Sequence, residues 1–243
     1  MYIYYTGQTT INYKIMRVEP FGLDSYLHVL KRGARGLDIV RDESDQWRFL
    51  RLLFFMNDQY FDNNWMIVTK NKNLFHRPNN WPERQPLVDI LVYTLMPNHI
   101  HLLLREIKNG GVSLFMKKVG QSMTEHANRK YNEKGSLFQG AYKSKTVTTD
   151  EYISYVSIYI MVKNVFELYP KRGLKGAQNN FDDAWRWAAN YPFSSFGDYA
   201  GTRDRSSIIA KGLLGEIFNT PDKFKSYSRD VILGGKWIHS EFE

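Results

Sequence analysis

Short apolar runs bounded by turn-forming residues alternate along the chain with stretches in which apolar residues recur every three or four positions. Apolar runs of this length predict β-strands, whereas the helical spacing predicts amphipathic helices. The predicted strands cover residues 26–30, 87–95 and 99–105. The predicted helices cover residues 42–57, 112–132 and 148–164. The turn Met96-Pro97-Asn98 joins the last two strands into a hairpin, since the fixed φ of proline suits a turn position.

This order of elements predicts an α+β fold, with helices packed on one face of an antiparallel sheet. We expect an N-terminal extension over residues 1–17 and a domain over residues 18–201. The domain contains a polar, proline-bearing insertion at residues 58–86, in which only residues 65–69 are typical of a strand. A C-terminal extension follows over residues 202–243.

Three further local predictions concern the second half of the chain. Thr148, followed three residues later by Glu151, has the spacing of a capping box and predicts the start of the third helix. Residues 135–147 are expected to form a hairpin or an extended arm, and residues 208–218 a short helix.

The charge of the chain favours an anionic partner. A formal net charge of +8 and a pI near 9.4 indicate DNA, RNA or an anionic membrane, and the 16 tyrosines and six tryptophans offer surfaces for base stacking. The absence of cysteine excludes disulfides and cysteine-ligated metal sites. Without a signal-peptide pattern or a run of membrane-spanning length, a cytoplasmic protein with no membrane partner is expected.

The pair His99 and His101 is the first candidate for chemistry. Side chains alternate between the faces of a strand, so both imidazoles point one way while Ile100 and Leu102 point the other. Neutral imidazole binds divalent metals, and two such groups on one strand form a rigid pair of ligands. By spacing alone, two structural histidines are the more frequent interpretation.

The third helix supplies candidate nucleophiles. Tyr152, Tyr155 and Tyr159 are spaced to line one helix face, which is commonly a packing face. A tyrosine hydroxyl can also attack phosphorus and form a covalent intermediate if a cation assists it. Lys163, one turn after Tyr159, could favour deprotonation or simply be a solvated charge at the end of the helix.

Basic and aromatic residues around these elements predict contacts with a single strand of nucleic acid. Cations can hold the phosphate backbone while aromatic rings stack on bases. For any one of them, a solvated surface position is an equally good interpretation. The candidate DNA-binding residues are Arg129, Lys130, Gln139, Tyr142, Lys143 and Lys145, with Lys117, Lys118 and Phe138 nearby.

Four segments, in order, resemble the single-tyrosine HUH transposases of insertion sequences and their REP-associated relatives. Met-Pro-Asn-His-Ile-His-Leu-Leu-Leu at residues 96–104 is similar to the family's histidine motif. Gly-Ser-Leu-Phe-Gln-Gly with Tyr-Lys-Ser at residues 135–144 resembles its Gly-x-Leu-Trp-Gln stretch. Asp150-Glu151-Tyr152 with Tyr159-Ile160 resembles its tyrosine helix, and Tyr-Pro-Phe-Ser-Ser at residues 191–195 its Tyr-Pro-Trp-Ser-Ser element.

The resemblance implies a ferredoxin-like sheet with the histidine strand in a central position and the tyrosine helix beside it. It implies Mg²⁺ or Mn²⁺ on His99 and His101, and Tyr159 as the nucleophile in DNA transposition. The substrate would be single-stranded DNA with hairpin or palindromic ends. The products would be a 5′-phosphotyrosine and a free 3′-hydroxyl. Some family members act as homodimers that exchange tyrosine helices, so a homodimer is one expectation.

The chain departs from the family pattern at the third metal ligand. The family helix reads Tyr-Ile-x-x-Asn-Pro, but here Lys163 occupies the asparagine position and Asn164 follows it. Either a local shift of the helix end lets Asn164 bind the metal, or the site is impaired. The alternatives to a transposase are therefore a catalytically impaired module that binds single-stranded nucleic acid, and a hydrolase in which His99 and His101 activate water.

Overall fold

A four-stranded antiparallel sheet forms the centre of the molecule, with the strand order β2-β3-β1-β4. The computed structural model describes residues 21–70 and 74–234, so the predicted N-terminal extension, residues 71–73 and residues 235–243 lie outside the described residues. The strands are β1 (Tyr26–Arg32), β2 (Val88–Leu95), β3 (His99–Glu106) and β4 (Lys143–Val147). The main helices of this half are α1 (Glu43–Phe55), α2 (Trp65–Val68) and α3 (Gly111–Tyr131).

The tyrosine segment and the C-terminal third of the described chain are helical. A continuous helical segment consists of α4 (Asp150–Ile158), a π-helix (Tyr159–Lys163) and α5 (Asn164–Glu167). The remaining helices are α6 (Gly173–Asn179), α7 (Phe181–Asn190), α8 (Phe196–Tyr199), α9 (Gly212–Ile217) and α10 (Pro221–Gly234). In the described ranges, none of these helices has the length and apolar composition needed to cross a membrane.

The order β1-α1-β2-β3-α3-β4 with this sheet topology is the ferredoxin-like arrangement, so the predicted α+β fold is confirmed. The histidine strand β3 is central, as the resemblance implies, because it pairs with β2 on one side and with β1 on the other. Its reverse face is held by Ile100, Leu102 and Leu104, each completely buried. Burial of such side chains stabilises a strand by roughly 1.5–3 kcal/mol each.

One part of the fold prediction needs correction, because helices cover both faces of the sheet rather than one. On one face, α3 packs so closely on Lys31 that a Cβ added to Gly120 would lie 2.8 Å from Lys31 Cε. On the other face, the Oγ1 of Thr94 donates a hydrogen bond to the carbonyl of Ile160 in the π-helix. The two helices of the ferredoxin-like core lie on the first face, and the tyrosine helix covers the second.

Two local predictions were wrong. Residues 65–69, predicted as a strand, form the one-turn helix α2, whose Trp65 packs against Phe55 with ring centroids 5.0 Å apart. The third helix is capped by Thr149 instead of Thr148, because the Thr149 side chain accepts a hydrogen bond from the backbone N–H of Tyr152.

The corrected cap gives a stability prediction. Replacing Thr149 by alanine removes a side-chain acceptor at the helix start and should lower the free energy of unfolding by about 1 kcal/mol. Replacing Thr148 by alanine is the matched control and should change it by only a few tenths of that amount. Urea denaturation of both variants measures the difference, and an equal loss for the two variants would contradict the assignment of the cap.

The Tyr-Pro-Phe-Ser-Ser segment has a structural position that explains its composition. The backbone of this segment pairs with the outer edge of β2, where Leu95 N donates to Phe193 O and Ser195 N donates to Tyr93 O. The Tyr191 hydroxyl donates to Leu95 O at 3.0 Å. Covering an edge strand in this way prevents it from pairing with another chain.

The region beyond residue 201 packs into the same core as the preceding domain. Phe224 of α10 is completely buried and contacts the rings of Trp185, Phe196 and Phe218. The predicted short helix over 208–218 is present as α9, whereas α6, α7 and α10 lie in stretches for which no helix was predicted. The part of the C-terminal extension that the structure describes therefore contributes to the stability of the fold.

Candidate active site

The two histidines of β3 stand side by side on the sheet face that carries the tyrosine helix. Their ring centroids are 4.8 Å apart, and His101 is 3% exposed while His99 is half-buried. The Nδ1 of His99 lies 2.6 Å from the side-chain oxygen of Asn98. This contact fixes the ring of His99 and makes its Nε2 the nitrogen suited to bind a metal.

A third histidine lies behind this pair on the neighbouring strand. His28 of β1 is buried, and its Nε2 lies 3.0 Å from Nδ1 of His101. Burial lowers the pKa of His28 to about 4, with a further contribution from the charge of Lys145. Burial also lowers the pKa of His101 well below its usual value, so both rings are neutral at physiological pH. One ring can then donate a hydrogen bond to the other.

Of the three tyrosines on the helix, Tyr159 is the one that contacts the histidines. Its ring meets those of His101 and His28 edge-on, with centroids at 5.6 and 5.8 Å. Tyr152 and Tyr155 instead stack on each other, with centroids 6.5 Å apart. The structure therefore brings the predicted nucleophile, and not the two alternatives, to the histidine pair.

The helix changes its hydrogen-bond pattern at Tyr159, and this change determines which residue follows one turn later. Residues Tyr159–Lys163 are a π-helix, and the backbone N–H of Asn164 donates to the carbonyl of Tyr159. In an α-helix the residue one turn after Tyr159 would be Lys163; with the i→i+5 bond it is Asn164. The shift that the sequence left open is thus present in the backbone.

These side chains line a cavity of about 250 Å³ whose members come from three elements. Its lining residues are Arg32, His99, His101, Tyr159, Lys163, Asn164 and Glu167. The ammonium of Lys163 lies 4.7 Å from the centre of the Tyr159 ring and forms an ion pair with Glu167 at 2.7 Å. Glu167 therefore helps to hold the ammonium of Lys163 beside the tyrosine ring.

The donor set of this cavity fits a divalent metal. Two neutral imidazoles come from β3, and Asn164 is 1% exposed with a side-chain nitrogen that has no hydrogen-bond partner among the described residues. Because the oxygen and nitrogen of an amide can exchange places by a flip, Asn164 can turn a carbonyl oxygen to the cavity. In the described ranges, no group of three or more His, Asp or Glu side chains is placed to hold a metal.

The predicted DNA-binding residues divide between the two faces of the sheet. Lys143 and Lys145 lie on β4 in register with Leu30 and His28, and therefore on the histidine face. Gln139 is exposed, and its backbone N–H donates to the carbonyl of Arg32 beside the cavity.

The other predicted contacts lie on the α3 side of the sheet. Arg129 is exposed on α3, whereas the ammonium of Lys130 on the same helix binds the carboxylates of Asp42 and Asp45. The ring of Tyr142 is buried, and its hydroxyl lies 3.1 Å from the Oγ of Ser113. The six predicted DNA-binding residues therefore do not form one continuous surface.

Two residues of the site were missed at the level of sequence. His28 sits in an apolar strand, where a single histidine has no distinguishing spacing. Arg32 ends the same strand, and its position opposite His99 follows only from the pairing of β1 with β3. The alternation of side chains places both residues on one face of β1, but the register with β3 has no local signal.

Comparisons with known proteins bear on the same segment. Residues 82–163 match the model of a family described as "Transposase IS200 like", a segment that contains both β3 histidines and Tyr159. No curated protein matches the chain. A solved structure described as a REP-associated tyrosine transposase bound to a REP hairpin is 12% identical and covers 79% of this chain and 94% of that chain, at a TM-score of 0.42. The family match confirms the resemblance of the histidine motif and tyrosine helix.

Proposed function

We propose that the chain cuts and rejoins single-stranded DNA with Tyr159 as the nucleophile, and the match of residues 82–163 to the IS200-like transposase model supports this proposal. One observation carries the proposal: Tyr159 lies against His101 in a cavity that also contains His99 and Asn164. A nucleophile and a set of metal ligands in one small cavity is the arrangement that phosphoryl transfer through a covalent intermediate requires.

In the proposed reaction the phenolic oxygen of Tyr159 bonds to the scissile phosphorus and the bond from phosphorus to the 3′ oxygen breaks. The downstream strand stays attached to Tyr159 through its 5′ phosphate. The phenolic proton is lost and the departing 3′ oxygen takes up a proton, so that the upstream strand leaves with a 3′-hydroxyl. Attack by a 3′-hydroxyl on the phosphotyrosine reverses these steps and joins strands.

The surrounding residues support individual parts of this reaction. The ammonium of Lys163, 4.7 Å from the ring of Tyr159, stabilises negative charge that develops on the phenol oxygen. The exposed guanidinium of Arg32 at the cavity mouth suits a phosphate oxygen. Mg²⁺ or Mn²⁺ bound by His99, His101 and Asn164 would polarise the scissile phosphate.

End-labelled DNA tests the proposed function. Hairpin oligonucleotides with a single-stranded flank, taken from the sequences beside the gene, are incubated with the full chain and Mn²⁺. A 3′ label should travel with the protein through denaturing electrophoresis, whereas a 5′ label should leave on a shorter strand that a polymerase can extend.

Two other results would favour the alternatives. Binding of these strands without any covalent product, in Mg²⁺ and in Mn²⁺, supports a module that has lost catalysis. Cleavage without attachment of either label, surviving the loss of all three helix tyrosines, supports a hydrolase that activates water.

His28 gives a prediction about metal binding. If Nδ1 of His101 donates to Nε2 of His28, the remaining nitrogen of His101 keeps its lone pair for the metal. Replacing His28 by leucine removes the acceptor and should weaken Mn²⁺ binding about tenfold, as losses of such supporting contacts do. Titration calorimetry with Mn²⁺ measures this directly.

Two further variants make the His28 experiment specific. His28→Gln retains a hydrogen-bond acceptor and should restore part of the affinity. His76→Leu makes the same chemical change at an exposed position in the insertion and should have no effect. An unchanged Mn²⁺ affinity in His28→Leu, with an unchanged melting temperature, would show that His28 does not act through His101.

A further inference from the structure

A second groove lies on the opposite face of the sheet, between α3 and the arm at residues 135–142. Its volume is about 630 Å³, large enough for a nucleotide. The floor is apolar and consists of Met116, Gly120, Phe138 and the ring of Tyr142. The rim is polar and includes the exposed residues Lys117 and Gln121.

The side chain of Lys31 ends in this groove although almost all of it is buried. Lys31 is 8% exposed; its ammonium donates to the carbonyl of Gly140 at 3.0 Å and lies 4.5 Å from the centre of the Phe138 ring. No carboxylate among the described residues forms an ion pair with it, and burial lowers its pKa. An ammonium has three N–H donors, and the Gly140 carbonyl uses one of them.

The fold makes room for this ammonium. Gly120 of α3 faces Lys31, and a Cβ at this position would lie 2.8 Å from Lys31 Cε. A lysine that only needed solvation would extend into water, because a dehydrated charge costs free energy. The lysine is instead held over an apolar floor, and its remaining N–H groups can donate hydrogen bonds to an oxygen of a ligand.

The groove and the catalytic cavity lie at the same end of β1. Lys31 and Arg32 are consecutive and point to opposite faces, so Lys31 enters the groove while Arg32 lines the cavity. The arm wraps this end of the strand, since Gln139 N donates to Arg32 O and Phe138 forms a bridge with Gly33. A DNA strand that leaves the cavity past Arg32 would reach the groove by crossing the arm.

We propose that this groove binds one unpaired base of the DNA strand and that Lys31 donates a hydrogen bond to a keto oxygen of that base. The inference rests on the proposed function, because a single strand has to pass the catalytic cavity. Thymine and guanine carry such an oxygen on the edge opposite the sugar, whereas adenine carries an amino group there. The apolar floor suits the flat face of a base better than it suits a phosphate.

Fluorescence anisotropy with labelled dT12, dA12 and an abasic 12-mer tests the proposal in EDTA, where no cleavage takes place. The wild-type chain should bind dT12 about tenfold more tightly than dA12, the effect of one good base contact. Lys31→Met should abolish this preference. Lys117→Met removes an equal charge from the rim and should weaken binding of all three probes while the preference persists.

Gly120→Ala provides a second variant that leaves the net charge unchanged. Its methyl group displaces the Lys31 side chain, so the preference for dT12 should fall as it does in Lys31→Met. Equal weakening of dT12, dA12 and the abasic probe by Lys31→Met would assign Lys31 to a phosphate and overturn the proposal. So would a wild-type chain without base preference.

Failure of this proposal is distinguishable from failure of the proposed function. If a covalent adduct forms but the base preference does not depend on Lys31, the groove is not a base-binding site and the proposed role of Tyr159 stands. A Lys31-dependent preference without an adduct leaves a base-specific binding module.

Discussion

Replacing Tyr159 by phenylalanine should abolish the covalent protein–DNA product, with a loss of about 10⁴-fold or more, as for other nucleophiles removed from enzymes. Phenylalanine keeps the ring contacts with His101 and His28, at 5.6 and 5.8 Å, and removes only the oxygen that would bond to phosphorus. The measurement is the fraction of 3′-labelled DNA that stays attached to the protein after denaturation.

The same helix supplies a matched control for this experiment. Tyr155→Phe also removes one hydroxyl from a partly buried ring, but Tyr155 stacks on Tyr152 and does not line the cavity. This variant should form the adduct at nearly the wild-type level, and both variants should bind uncleaved DNA equally well. An adduct in Tyr159→Phe, or its loss in Tyr155→Phe alone, would assign the nucleophile to another residue.

The features of the site that could be predicted from sequence are those determined by local geometry. His99 and His101 share a face because alternation along a strand is independent of the rest of the fold. The position of Tyr159 on the helix facing the sheet followed from the family motif. His28 could not be predicted as their neighbour, since the pairing of Leu30 with His101 is a tertiary property without a sequence signal.

The insertion shows why pattern alone was misleading outside the core. Residues 65–69 have the apolar, β-branched composition of a strand, but they pair with no strand of the described sheet. The edge of β2 is occupied by the Tyr-Pro-Phe-Ser-Ser segment, which forms a bridge between Ser194 and Thr94. Trp65 packs on α1 instead, and the segment closes as a single helical turn.

The π-helix is the feature that gives the departure from the family motif a structural explanation. A π-helical turn is closed by an i→i+5 hydrogen bond and so contains one residue more than an α-helical turn. Here the additional residue lets Asn164 follow Tyr159 by one turn and lets Lys163 reach the tyrosine ring as well. Both Lys163 and Asn164 therefore line the cavity beside Tyr159.

The π-helical register of the tyrosine helix predicts a second large effect, on metal binding. Replacing Asn164 by alanine should weaken Mn²⁺ binding about 100-fold. This is at the upper end of the loss seen when a residue that only supports a metal ligand is removed, and a direct ligand should matter at least as much. Asn164→Asp retains an oxygen donor and should bind the metal as well as wild type or better. The Mn²⁺ affinities measured by titration calorimetry and the yields of covalent adduct should rank the variants in the same order.

A double variant separates the π-helical register from the α-helical one. If Lys163 occupied the ligand position, as in a regular helix, then Lys163→Gln in the Asn164→Ala background would introduce an amide where it is needed and restore metal affinity. With the backbone N–H of Asn164 bonded to Tyr159 O, the residue one turn after the tyrosine is 164, so no rescue is expected. Rescue by Lys163→Gln would mean that the helix is α-helical in the metal-bound protein and that Asn164 is not a ligand.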